Sequence, residues 1–165
     1  MFPIKLAVFW VLLATLAISP SSLPAADNLS EILRKHQWDG IVGTWVDAQT
    51  KGEISKVTYA WKIEERVIEV TSEGSGLESV SLMGVNARTG EVFHMGADSE
   101  GASSLGKWTI DEKGDAVLGL LFTAGDGEQG GLSIRHHRED QDTMIVTLEL
   151  PEPTTVKMIR VKPAQ

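Results

Sequence analysis

No cysteine occurs anywhere in the 165 residues. That excludes a disulfide framework, a thiolate metal site and a cysteine-borne lipid anchor. Aromatic side chains are scarce too, at 6 % of the chain with a single tyrosine, so each tryptophan marks a place where something large is packed. Positive charge is in short supply: 15 Lys and Arg stand against 23 Asp and Glu. An acidic surface of this kind repels phosphate backbones and anionic membrane surfaces, which argues against nucleic-acid binding and membrane docking. Long hydrophobic runs are absent except for one, residues 6–18.

That run follows Met1-Phe2-Pro3-Ile4-Lys5 and leads into Ser19-Pro20-Ser21-Ser22-Leu23-Pro24-Ala25-Ala26. A single positive charge, an apolar stretch and a small-residue exit read as a secretory signal peptide, cut after Ala25 or Ala26. The stretch falls short of the roughly 20 residues that a membrane span needs. Residues 1–26 are therefore set apart as an export signal, and residues 27–165 as one domain in the periplasm or outside the cell. Removing 26 of 165 residues leaves 139, enough for a single core without staples. Without Lys5, 14 basic residues face 23 acidic ones, a net charge of −9.

A short helix is predicted up to Trp38, capped by Asn28 or Ser30, with Leu29, Ile32 and Leu33 at helical spacing. Asn28-Leu29-Ser30 also matches a glycosylation acceptor, a tripeptide common by chance. From Gly43 the period changes to two. Strands are predicted at 44–48, 54–63, 67–71, 77–87, 91–95, 104–111, 116–124, 131–138, 143–150 and 155–162. The connections carry turn residues, as in Arg88-Thr89-Gly90 and Asp140-Gln141-Asp142, and Pro151 and Pro153 stop the ninth strand. Ten short strands in succession predict an all-β fold: an antiparallel up-and-down β-barrel with one short N-terminal helix. Val57, Tyr59, Trp61 and Ile63 share one face, as do Leu132, Ile134 and His136. Residues 117–122 are apolar on both faces, so one face is expected to meet the helix or a partner chain.

The Gly43-Thr44-Trp45 tripeptide on the first strand, the preceding helix, the hairpins and an arginine on the last strand together resemble the lipocalin-like (calycin) β-barrels. The resemblance implies that Trp45 packs across one barrel end beneath Arg160. More closely, the chain is similar to secreted bacterial lipocalin-like domains that share no common activity. The order of Tyr59-Ala60-Trp61-Lys62, the 84–91 turn, Asp98-Ser99-Glu100-Gly101 and Gly106-Lys107-Trp108-Thr109 carries that likeness over most of residues 38–161. Where that group has a tryptophan-aspartate entry to the turn, Val85-Asn86 stands here.

Motifs of catalysis are missing their context. Gly125-Asp126-Gly127-Glu128-Gln129-Gly130 spells a dinucleotide fingerprint, but a strand follows it instead of a helix. His136-His137 lies in a strand, so the two rings face opposite ways and cannot chelate one metal. No nucleophile elbow or EF-hand spacing occurs, and Glu64-Glu65 and Glu139-Asp140 fall in polar turns where carboxylates stay solvated. No clustered acid, base or nucleophile marks an enzyme, and no metal or other cofactor is required. His94 or His136 as the lone ligand of a haem iron, as in nitrobindin-like barrels, is the one exception.

Tyr59, Trp61, Trp108 and His136 are the candidate ligand-binding residues. Two readings stand: the aromatic side chains fill the barrel as core, or they line a pocket for a small apolar molecule. The resemblance favours a non-enzymatic barrel binding such a molecule in its mouth. A protein-interaction or structural module with a filled barrel is the alternative.

Overall fold

A computed structural model of the chain describes residues 27–162; the expected export signal lies outside the described residues. Asn28 caps helix α1 (Leu29–Lys35) through a reciprocal capping box. Its side chain accepts from the Glu31 amide, and the Glu31 carboxylate accepts from the Asn28 amide, at 2.9 and 2.8 Å. Leu29 and Leu33 are buried on one face, while the basic Arg34 and Lys35 end the helix. A 3-10 turn, Asp39–Ile41, leads into the sheet.

Ten strands follow: β1 (Gly43–Asp47), β2 (Lys56–Ile63), β3 (Val67–Gly74), β4 (Leu77–Val85), β5 (Val92–Asp98), β6 (Ser103–Ile110), β7 (Ala116–Thr123), β8 (Gln129–Arg138), β9 (Thr143–Leu148) and β10 (Thr154–Arg160). Each pairs antiparallel with its sequence neighbours, and β10 pairs with β1 to close the barrel. Closure leaves no strand edge unpaired. The ten expected strands are all present, in up-and-down order after one short helix. Among the described residues no helix is long and apolar enough to cross a membrane.

Several boundaries differ from the sequence prediction by a few residues, and two of the shifts have a clear local reason. The second strand begins at Lys56 and not at residue 54. The Asp47 carboxylate organises the preceding loop by accepting from the Thr50 hydroxyl and amide and from the Gly52 and Ser55 amides. Those bonds, led by the Thr50 hydroxyl, lower the Asp47 pKa to about 2, and Ile54 is left exposed outside the ladder. The third strand runs to Gly74 and not to residue 71, because Ser75 and Gly76 both adopt positive φ, 50° and 84°. A two-residue turn of that kind fits the twist of the flanking strands, so Ser72 and Glu73 stay in the ladder opposite Ser79 and Glu78.

Registers place Trp45, Tyr59, Ile68, Met83, Val92, Met144 and Met158 on the inner face, where they join Leu29, Leu33, Trp38 and Ile41 in one core. The core therefore sits in the half of the barrel that α1 and the 3-10 turn cover. The Arg160 guanidinium lies 4.3 Å from the Trp45 ring centroid. It also donates from Nη1 to the Val42 carbonyl at 2.9 Å, from Nη2 to the Gly40 carbonyl and from Nε to the Gln141 carbonyl at 3.2 Å. Beneath it, Trp45 Nε1 donates to the Ile41 carbonyl at 2.9 Å. One cation thus joins the barrel seam to the chain that enters it.

Arg160→Ala is expected to destabilise the protein by about 2–3 kcal/mol, because carbonyls in a crowded barrel end lose a charged donor. Arg160→Lys should restore less than half of that, since an ammonium lacks the planar fork. Urea titrations of the three proteins measure the difference.

Candidate functional site

The covered end of the barrel contains a cavity of about 230 Å³. Ile32, Leu33, Trp38 and Ile41 wall it from the helical side, and Met83, Val92, Trp108 and Ala116 wall it from the strands. The helix contributes this wall because Leu29 and Leu33 anchor its inner face. Its start is held by the Ser30 amide donating to the Glu65 carbonyl at 3.2 Å, and the 3-10 turn by Trp38 Nε1 donating to the Gly114 carbonyl at 3.0 Å. Drug-sized ligands occupy pockets of roughly 300–1,000 Å³, so this one suits a smaller apolar molecule.

Behind the strand wall stands a row of three rings. Trp108 lies 4.9 Å from His136 and 6.2 Å from His94, centroid to centroid. Register produces the row: Val92 pairs with Trp108, which pairs with Leu118, while Met83 pairs with His94 and Ala116 with His136. Opposite His94 is Gly106, where a Cβ would collide with the Gly119 carbonyl and the Leu120 side chain, so only glycine fits beside the imidazole. The two histidines are 7 % and 5 % exposed. Nδ1 of each, and Nε1 of Trp108, are buried without a protein partner. An unpaired buried polar group costs about 1–3 kcal/mol, and three of them in one row concentrate that cost at a single place. Burial also lowers both imidazoles to a pKa of about 4, so the row is neutral at physiological pH.

The sequence candidates divide in this setting. Trp108 lines the cavity, and His136 packs against its ring. Tyr59 is buried within the core, with its phenol pKa pushed up by desolvation, and Trp61 packs against that core. Neither of these two lines the cavity. His94, weighed from sequence only as a haem ligand, is the third ring of the row. Its proximity to Trp108 arises from the β5–β6 pairing, which alternation within one strand does not report.

A haem does not fit these residues. Neither His94 nor His136 lines the cavity, both are sealed against Trp108, and the volume is smaller than a macrocycle requires. Among the described residues no group of three or more His, Asp or Glu side chains is placed to hold a metal ion. His136 and His137 do face opposite ways: His136 is inside the wall, whereas His137 is 56 % exposed at its side chain and holds Asp115 outside.

Strand β7 is apolar on both faces in fact. Leu118 is buried inside; Leu121 points outward, 71 % exposed, and α1 packs at the barrel end without covering it. Leu121 pairs with Leu105, 63 % exposed, and Leu105 pairs with Met95, so three strands carry an outer apolar row.

The two inner histidines make stability depend on pH with a definite sign. Unfolded histidine titrates near about 6.5, so between there and pH 4 the unfolded chain binds protons that the folded chain refuses. Stability is complete above that window and is lost as pH falls through it, by on the order of 3 kcal/mol per ring. Denaturant titrations at pH 7 and pH 5 should show a smaller difference for the His94→Gln/His136→Gln double variant than for the natural chain.

No protein-family model matches the chain, and neither does any curated protein.

Proposed function

We propose that this protein is an exported, lipocalin-like carrier that holds a small, largely apolar molecule at the covered barrel mouth and performs no chemistry on it. The observation that carries the reading is the cavity itself: mostly apolar, with His36, Glu91 and Thr109 as its polar members, bounded by a helix pinned across the barrel end, and adjoined through Trp108 to the only row of unpartnered buried rings among the described residues. The row gives the site a means of orientation. A carbonyl or hydroxyl on the cargo can accept from the Trp108 N–H after a small side-chain shift.

Trp108 is the natural reporter. Titration of the purified protein with small hydrophobic alcohols and ketones should change its tryptophan fluorescence saturably. Trp108→Phe should abolish most of the response while retaining the fold by circular dichroism. Absence of any saturable response, with native mass spectrometry showing no bound mass on protein from its own host, would count against the carrier.

The exported address rests on residues 1–26 and has its own check. The intact mass of protein recovered from its host is expected to correspond to a chain beginning at Ala26 or Asp27.

The outer row Met95, Leu105 and Leu121 supports a second reading, an interaction module in which two copies meet row to row. A row on a sheet face is self-complementary about a two-fold axis, as an isologous interface requires. Light scattering over a hundredfold concentration range should then reveal dimers that Leu121→Glu converts to monomers. A monomer throughout would remove this reading.

A further inference from the structure

A second cleft, of about 340 Å³, opens on the outside of the same barrel end. Its charged lining is Lys35, Lys113, Asp115 and Arg138, beside His36, Gln37 and His137. In a chain with net charge −8, that is a local excess of positive charge. On the barrel wall, Lys56, Lys62, Lys107, Arg135 and Lys157 each reach a carboxylate. Lys35, Lys113 and Arg138 form no ion pair among the described residues; Arg34, Lys51, Arg66 and Arg88 form none either, but do not line this cleft.

The cleft is also built rather than merely populated. Asp111 accepts from the amides of Lys113 and Asp115 at 2.8 and 3.0 Å, and Gly114 takes a positive φ of 86°, which presents Lys113 on a fixed turn. The Trp38 indole ties that turn to the helical segment through the Gly114 carbonyl, and the Arg138 guanidinium sits 5.8 Å from the same indole ring. Buried Asp115 accepts from His137 Nδ1 at 2.7 Å. An ionised carboxylate only accepts, so Nδ1 carries the hydrogen and Nε2 is the free nitrogen of the exposed ring. Asp115 is shared with Arg135 at 3.5 Å, and Arg135 is bonded in addition to Asp111 and to Glu149. The one carboxylate in the cleft is thus already engaged, and the positive charge of Lys35, Lys113 and Arg138 is left over.

We propose that this cleft is a binding site for a phosphate group on a small molecule. Lys35, Lys113 and Arg138 supply charge and donors to its oxygens, and the His137 ring, held by Asp115, borders them. Three separated cations suit an anion with several acceptor oxygens and more than one charge, which a phosphate monoester has and a simple carboxylate lacks. The acidic remainder of the surface rejects a polyanion such as nucleic acid, so the anion is a small one. The three cations do not line the carrier cavity, although Trp38 borders both, and the site does not depend on that cavity being occupied.

Inorganic phosphate is the first probe, titrated into the purified full-length mature protein by calorimetry at low ionic strength. In parallel, imidazole nitrogen resonances are followed by NMR. Saturable binding in the range of about 1 mM or tighter is expected, with the His137 signals moving and those of His94 and His136 unmoved. Lys113→Gln, on an exposed turn, and Arg138→Gln should each weaken binding about fivefold or more, while Lys56→Gln, on the far wall, should not. Acetate should bind at least about tenfold more weakly than phosphate. No saturable binding up to roughly 20 mM phosphate overturns the site. Equal losses in Lys56→Gln and Lys113→Gln would show diffuse charge instead of a site, and parity between acetate and phosphate would overturn the phosphate assignment. Thermal melts of each variant confirm that the fold is intact.

Discussion

The Arg160 guanidinium ties the seam between the first and last strands to the chain that enters the barrel. It stacks on Trp45 from the strand across the seam and bonds carbonyls at Gly40 and Val42, just before that strand begins. The 3-10 turn between them supplies Trp38 and Ile41 to one wall of the cavity. If the turn swung away, the cavity would lose that wall, and the Gly114 turn would lose the indole that fixes it. Both clefts at this end therefore depend in part on this cation–aromatic contact and its backbone acceptors.

Polarity is divided sharply between the two sides of the barrel wall. Inside, the polar rings are neutral, because desolvation removes the proton from His94 and His136 long before physiological pH. Outside, charge is retained and in part paired, as in Arg135 with Asp111 and Glu149 or Lys157 with Glu139. Adjacent residues fall on either side of this divide: His136 is in the dry row and His137 is in the wet cleft, although they are consecutive in the chain.

Much of the architecture was readable from a period of two. Alternation located all ten strands and the opposite aims of His136 and His137, and helical spacing located the helix, since these depend on neighbours along the chain. The G-x-W strand and the terminal arginine likewise marked the barrel end that Trp45 and Arg160 form. The site was less legible because it is a product of pairing. His94 reaches Trp108, and Asp115 reaches His137, only through cross-strand register, and the sequence of one strand does not contain the register of the next. Tyr59 and Trp61 show the converse: an inward face is readable, but whether the side chain fills the core or borders a cavity depends on what lies across the barrel. Local hydrogen bonding set the remaining boundaries, as Asp47 did for the loop before β2.

The pairing of the first strand with the last has a consequence for how the molecule comes into being. Val42 and Arg160 are bonded although 118 residues separate them. Every other strand pair is a hairpin between neighbours in the chain and can form as soon as its two members exist. The seam cannot, and its loop-closure entropy comes due at the end. Without its final strand the sheet has two unpaired edges, and the barrel end that Arg160 fastens is complete only once the seam has closed.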